Sequence, residues 1–204
     1  MKSFYFSSLF ILLFSSLCVA QSPGQITFSI TEAKTNHAIP SRVIILKDGL
    51  PFDHQLESTL QLACRGNTIY TANGSGRFTL PQGTYEFWFS RGMEYSVDVK
   101  EMKIEAGKSY NIKAKLVREL DTKGLVGGDM HLHTYTNSGH GDATLEERVI
   151  SCAAEGLEWA VATDHNFLTD YTPYLESVGL KGQMATTISN EVSTQIGHFN
   201  TYPL

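Results

Sequence analysis

The chain has 204 residues, 42% of them hydrophobic, with 16 Lys and Arg against 21 Asp and Glu and a formal net charge of −5. That length suits two small domains, and an acidic surface does not attract nucleic acid by charge. Three cysteines are too few for a disulfide scaffold. In chain order, Met1 to Gln21 offers one positive charge at Lys2, an apolar run from Leu9 to Leu17, and small residues at Val19 and Ala20. These are the parts of a signal peptide over residues 1–20. Ser7, Ser8, Ser15 and Ser16 keep the run short of the roughly 20 apolar residues of a membrane span. Leu17 before Cys18 argues against a lipoprotein. The reading is a secreted or periplasmic protein with no membrane span after cleavage. Its two remaining cysteines, Cys64 and Cys152, are expected to be free, buried thiols.

From 24 to 120 the pattern is short β-rich runs punctuated by turns: ITFSI, RVIIL, TIY, RFTL, YEFWF, YSVDV, MKIEA and YNIKAKL. Asp48-Gly49, Asn73-Gly74-Ser75-Gly76, Pro81-Gln82-Gly83 and Ala106-Gly107 supply turn chemistry. Alternation such as Tyr110, Ile112, Ala114, Leu116 predicts an all-β sandwich of seven or eight strands. The aromatics Tyr85, Phe87, Trp88, Phe89 and Tyr95 read mainly as core filling. His37 and His54 stand alone in polar loops and read as surface residues.

Asp121-Thr122-Lys123-Gly124 reads as a linker, and the period then changes. Strand-like Leu125–Met130 leads into His131 and His133, whose spacing puts both rings on one face of a strand, able to share an ion. Thr144 and Glu147 form a capping box for a helix that Gly156 ends. Trp159–Ala162 leads to Asp164 and His165, Thr172-Pro173 starts a second helix, and Thr186–Ile188 leads to Glu191 and His198. Five of the seven histidines therefore gather after the ends of three strands, where α/β folds collect functional groups.

The segments GDMHLHT, TLEE, GLEWAVATDHN and EVSTQIGHFN resemble the PHP (polymerase and histidinol phosphatase) domain, most of all its CehA/McbA branch, over about 121–204. The stretch IPSRV with GRFTLPQGTYEFWFSRGMEYS is similar to the carboxypeptidase-regulatory-like sandwich that precedes it in such proteins. The resemblance implies a two-domain chain: an all-β sandwich followed by the first βαβαβ portion of an α/β PHP barrel, a distorted, TIM-like barrel of seven strands. It implies an exported, divalent-metal-dependent hydrolase acting on phosphoesters, or on carboxyl esters or amides, of small molecules. Two or three ions of zinc, manganese or iron would be its cofactors.

On that resemblance His131, His133, His140, His165, Glu191 and His198 would bind metal, Glu191 as the bridge, with Asp142 the alternative to His140. Glu191 and Asp164 are the candidate catalytic residues. Asp129 and Asp164 adjoin the ligating histidines and suit the role of accepting an imidazole N–H that fixes a tautomer. Glu146 and Glu147 read as capping and solvent-facing. The alternative is an inactive PHP-type binding or structural module. The 84 residues from Asp121 are fewer than a closed barrel's ~200, so a fragment is expected, weakly metal-binding on its own.

Overall fold

A computed structural model describes residues 22–203; the signal-peptide reading of residues 1–20 lies outside them. Nine strands come first: β1 (Gly24–Glu32), β2 (Ser41–Lys47), β3 (Leu50–Pro51), β4 (Leu62–Arg65), β5 (Thr68–Thr71), β6 (Ser75–Leu80), β7 (Gly83–Ser90), β8 (Asp98–Ile104) and β9 (Ser109–Leu116). They make two sheets, one ordered β6-β1-β9 and the other β4-β5-β2-β7-β8, with β3 paired to β2. Alternation decides which residues meet. Ile26, Phe28 and Ile30 of β1, with Ile112, Ala114 and Leu116 of β9, face Val43 and Ile45 of β2 and Tyr85, Phe87 and Phe89 of β7 across one buried core. Every second residue of a strand points to the same face, so these sequences can bury one face only.

Two local readings need correction here, and two strands are added. YSVDV and MKIEA are not two strands, since β8 begins at Asp98 and runs on to Ile104. The short β3 and β4 carry no alternation long enough to announce them. His54 is buried, not exposed: its Nδ1 accepts the Leu56 N–H at 3.1 Å and its Nε2 lies 3.3 Å from the Thr68 carbonyl. Burial holds its imidazole below the ordinary histidine value.

The chain continues through β10 (Gly128–Leu132), α1 (Tyr135–Ser138), α2 (Leu145–Ala154), β11 (Trp159–Ala162), α3 (Thr172–Ser177), β12 (Ala185–Ile188), β13 (Asn190–Thr194) and β14 (Gly197–Thr201). Strands β10, β11 and β12 pair in parallel in that order, and β13 and β14 form a separate antiparallel hairpin. The Thr144 hydroxyl accepts the Glu147 N–H while the Glu147 carboxylate accepts the Thr144 N–H, closing the capping box of α2.

The expected fold class is overturned. Strand takes up 47% of the described residues and helix 11%, and α2 is the longest helix among them at 10 residues. A barrel needs a helix to jacket each strand. Three parallel strands with both edges open close no barrel.

Helix α2 is held between two sheets. One side packs on Leu132, Ala160 and Ala162 of the parallel sheet and on Leu175 of α3. The other meets Ala63, Tyr70 and Ala72, on the outer face of the large sheet near its β4-β5 edge. Small side chains there let the helix lie close. Gly92 (φ 49°) does the same at the helix end, where a Cβ would stand 2.1 Å from the Glu155 carbonyl oxygen.

Polar contacts reinforce the junction: Arg42 pairs with Glu155 at 2.6 Å, Gln61 donates to the Val178 carbonyl at 3.0 Å, and Arg65 pairs with Glu147. Glu147 is therefore buried under the first strands and does not face solvent as expected. Burial raises its carboxyl, but hydrogen bonds from Ser58, the Thr144 backbone and Arg65 outweigh that and hold it below the ordinary range. Cys64 and Cys152 are free and buried, and burial pushes their thiols up to about 11 and about 12. Neither is poised as a nucleophile or metal ligand.

Candidate metal centre

Backbone pairing builds the centre. A register shift between Asp129 and Leu132 breaks the even ladder of β10 with β11, and the Asp129 carboxylate accepts the His131 N–H at 3.0 Å inside it. The Leu132 N–H then donates to the Thr163 hydroxyl at 2.9 Å, so His133 leaves the strand end aimed over the sheet. Past β11 the chain zips against β13: the Glu191 N–H donates to the Asp164 carbonyl (3.1 Å) and the Asn166 N–H to the Glu191 carbonyl (2.9 Å). Residues His165 and Glu191 become neighbours. Across the hairpin Ser193 pairs with His198, which brings that ring back over Glu191.

The Glu191 side chain is 5% exposed and sits among four imidazoles. Its Oε2 lies 3.2 Å from His131 Nε2, 2.9 Å from His133 Nε2 and 3.4 Å from His165 Nδ1, and its Oε1 lies 3.3 Å from His198 Nδ1. His140 completes the cluster, with ring centroids 4.9 Å from His133 and 4.7 Å from His165. Three sets of donors can each converge on one point: His131, His133 and Glu191; His165, Glu191 and His198; His133, His140 and His165. Burial alone would raise the Glu191 carboxyl, but the imidazoles of His131, His165 and His133 outweigh it and hold it below the carboxylate range. Burial, opposed by Glu191 and reinforced by His165, His131 and His140, lowers the His133 imidazole. Carboxylate and neutral imidazole are the forms that bind metal.

The donor set fits an ion. With zinc–ligand bonds of about 2.0–2.1 Å, tetrahedral donors stand ~3.3 Å apart. Contacts to Glu191 of 3.3 and 3.4 Å match that edge, while 2.9 and 3.2 Å are slightly tight. Nitrogen and oxygen donors of this kind suit zinc, manganese or iron above calcium.

Of the expected site residues, His131, His133, His140, His165, Glu191 and His198 are brought together. Asp142 is not: it is exposed, its carboxylate 3.8 Å from Arg148 and its carbonyl held by Arg65. Asp164 is fully buried and belongs to none of the three sets. Its oxygens accept from Thr134, Ser138 and Thr169, so it orders the loops beneath the centre. Asp129 accepts a backbone N–H and no imidazole proton. The sequence assigns no role to Ser138 or to Arg148, whose Nε donates to the His133 carbonyl at 2.9 Å. The hydroxyl-rich run His133-Thr134-Tyr135-Thr136-Asn137-Ser138 was the available signal for the first of them.

No family model matches the chain, and no curated protein does. Among solved structures, the backbone protein of group B streptococcus pilus 2b is similar at 17% identity and a TM-score of 0.36, covering 47% of this chain and 41% of that one. A minor pilin of Streptococcus agalactiae is similar at 14% identity and a TM-score of 0.40, covering 50% and 48%. The major pilin subunit of Bacillus cereus is similar at 12% identity and a TM-score of 0.36, covering 47% and 30%. The match spans less than half the length of each pilin. The expected PHP membership is not upheld, since no family model matches the chain. The hydrolase and phosphoesterase activity that came with that resemblance falls with it.

Proposed function

We propose that this protein binds divalent metal ions through the cluster centred on Glu191. The observation that carries the reading is a cluster of five imidazoles, neighbouring ring centroids 4.6–4.9 Å apart, four of them within 3.4 Å of one buried carboxylate. A fold gains nothing in stability from crowding five basic rings whose charged forms repel one another. A cation shared among their lone pairs supplies the missing attraction. A neutral imidazole offers one lone pair, so His133 and His165 cannot each serve two of the three overlapping sets. Five of the six side chains therefore hold two ions at once: one on His131, His133 and Glu191, the other on His165, His198 and Glu191, with Glu191 bridging and His140 left beside His133 and His165.

Elemental analysis of the full chain tests this, with about two equivalents of metal expected by this count of ligand sets. Replacing His131 and His133 together with Ala is expected to remove one equivalent and leave the β-sheet circular dichroism of the first nine strands intact. Unchanged metal content in the double variant overturns the assignment. The small-molecule ligand expected from the resemblance has no support beyond that resemblance. Among the described residues no helix is long and apolar enough to cross a membrane. Export is proposed on the charged start, apolar run and small-residue end of residues 1–20. Mature protein beginning at Gln21 outside the cytoplasm is the expected result, and cytosolic material retaining Met1 contradicts it.

A further inference from the structure

We propose that Ser138, anchored by Asp164, is a positioning residue that locks neutral His133 as its Nδ1–H tautomer and so presents the Nε2 lone pair to metal. This rests on the metal-binding reading above. The argument is an accounting of protons. Asp164 is fully buried, and a carboxylate only accepts. Its Oδ1 takes the Thr134 N–H (2.6 Å) and the Ser138 hydroxyl (2.6 Å), its Oδ2 takes the Thr169 hydroxyl (2.7 Å), and the Thr134 hydroxyl lies 3.0 Å from both.

Each hydroxyl has one proton to give. Thr134 Oγ1 is occupied on its other side by the Asn137 N–H at 3.3 Å, and Thr169 Oγ1 by the Asn137 amide at 3.0 Å. Both protons therefore point at Asp164. Ser138 obeys the same rule, because the His165 N–H donates to its Oγ at 3.1 Å while its proton goes to Asp164. One lone pair remains on Ser138 Oγ, and the group facing it, 3.2 Å away, is His133 Nδ1. Only a protonated Nδ1 makes that contact attractive.

The consequence appears at the other side of the ring. His133 Nε2 is left with a lone pair, 2.9 Å from His131 Nε2, whose N–H can fill it, and 2.9 Å from Glu191 Oε2. That oxygen is an acceptor that competes for the same ring proton until an ion lies between them, so a metal-free wild type with the proton on Nε2 overturns the proposal. Neutral histidine in water favours the Nε2–H form, which would put a proton where the ion belongs. The tautomer at a ligating histidine is set by the bond its other nitrogen makes. Here that bond runs from His133 through Ser138 to a buried carboxylate.

The test is nitrogen-15 spectroscopy of imidazole-labelled, metal-free full chain above the histidine titration range, paired with zinc titrations. The wild type is expected to show His133 with its proton on Nδ1. Ser138→Ala is expected to move it predominantly to Nε2 and to weaken zinc binding ~10–100-fold, the usual loss for an outer-shell partner. Ser138→Thr, which keeps the hydroxyl, is expected to restore both, and Ser138→Cys, of similar size but a poor acceptor, serves if the alanine variant does not fold. Thr169→Ala removes another donor to Asp164 without touching His133, and should leave the tautomer unchanged. Persistence of Nδ1–H in Ser138→Ala and Ser138→Cys overturns the proposal, as does an equal shift in Thr169→Ala. A wild type that shows the Nδ1–H form and its dependence on Ser138 yet binds no zinc would count against the metal-binding reading and leave the relay standing.

Discussion

Glu191→Gln is expected to abolish stable metal binding while leaving the chain folded. The substitution keeps the side chain's shape and removes the charge that faces His131, His133, His165 and His198. An amide oxygen is a weaker donor than a carboxylate, and the amide's other end points N–H groups at imidazole lone pairs or at the ions themselves. Both proposed ions depend on this one residue. The loss should therefore exceed the ~10–100-fold that outer-shell changes cost. Asp142→Asn is the control: Asp142 is exposed and outside all three donor sets, so its variant should bind metal like the wild type. Isothermal titration with zinc on the two variants decides between them. Retained binding in Glu191→Gln with loss in Asp142→Asn would contradict the arrangement.

The second large effect concerns stability. Phe87 is fully buried at the middle of β7, with ring centroids 6.4 Å from Phe78, 6.2 Å from Tyr85 and 6.5 Å from Phe89. Truncating a buried Phe to Ala costs about 3–5 kcal/mol in lost burial and cavity formation. For a chain of this length that lowers the melting midpoint by roughly 6–20 °C. The more telling expectation is where the loss is felt. Helix α2 rests on Ala63, Tyr70 and Ala72 of the same large sheet and is pinned by Arg42–Glu155 and Arg65–Glu147. Loosening the sheet from its inner side should therefore destabilise the helix that backs β10. Metal release on heating, followed with a chromogenic chelator, should shift together with the loss of β-sheet circular dichroism. A metal-release midpoint unmoved in Phe87→Ala would show that the two parts unfold independently.

Legibility in the sequence followed the range of the interactions. Thr144 and Glu147 form the capping box they spell out, because every bond of it lies within one helical turn. The alternation of β9 and the turn at Gly156 (φ 77°) are equally local. What was hidden depends on contacts between distant segments. Nothing near His54 says that the Thr68 carbonyl will cover it, and nothing near Glu147 says that Arg65 will reach across from β4. The meeting of His165 with Glu191 needs the β11 loop to pair with β13. Ser138 acquires meaning only when Asp164, buried below it, takes its proton. The PHP resemblance misled because short His- and Asp-bearing motifs at strand ends recur on unrelated folds. They report local chemistry, and the barrel portion they implied does not give the fold its class, since strand far outweighs helix among the described residues.

X-ray absorption on the zinc-loaded full chain is the most direct test of the Glu191-centred site. The expected spectrum has a nitrogen and oxygen shell at about 2.0–2.1 Å, with the outer scattering of at least two imidazoles per zinc and no sulfur. A sulfur shell at about 2.3 Å, which would place the ion on Cys64 or Cys152, or zinc retained without imidazole scattering, would contradict it.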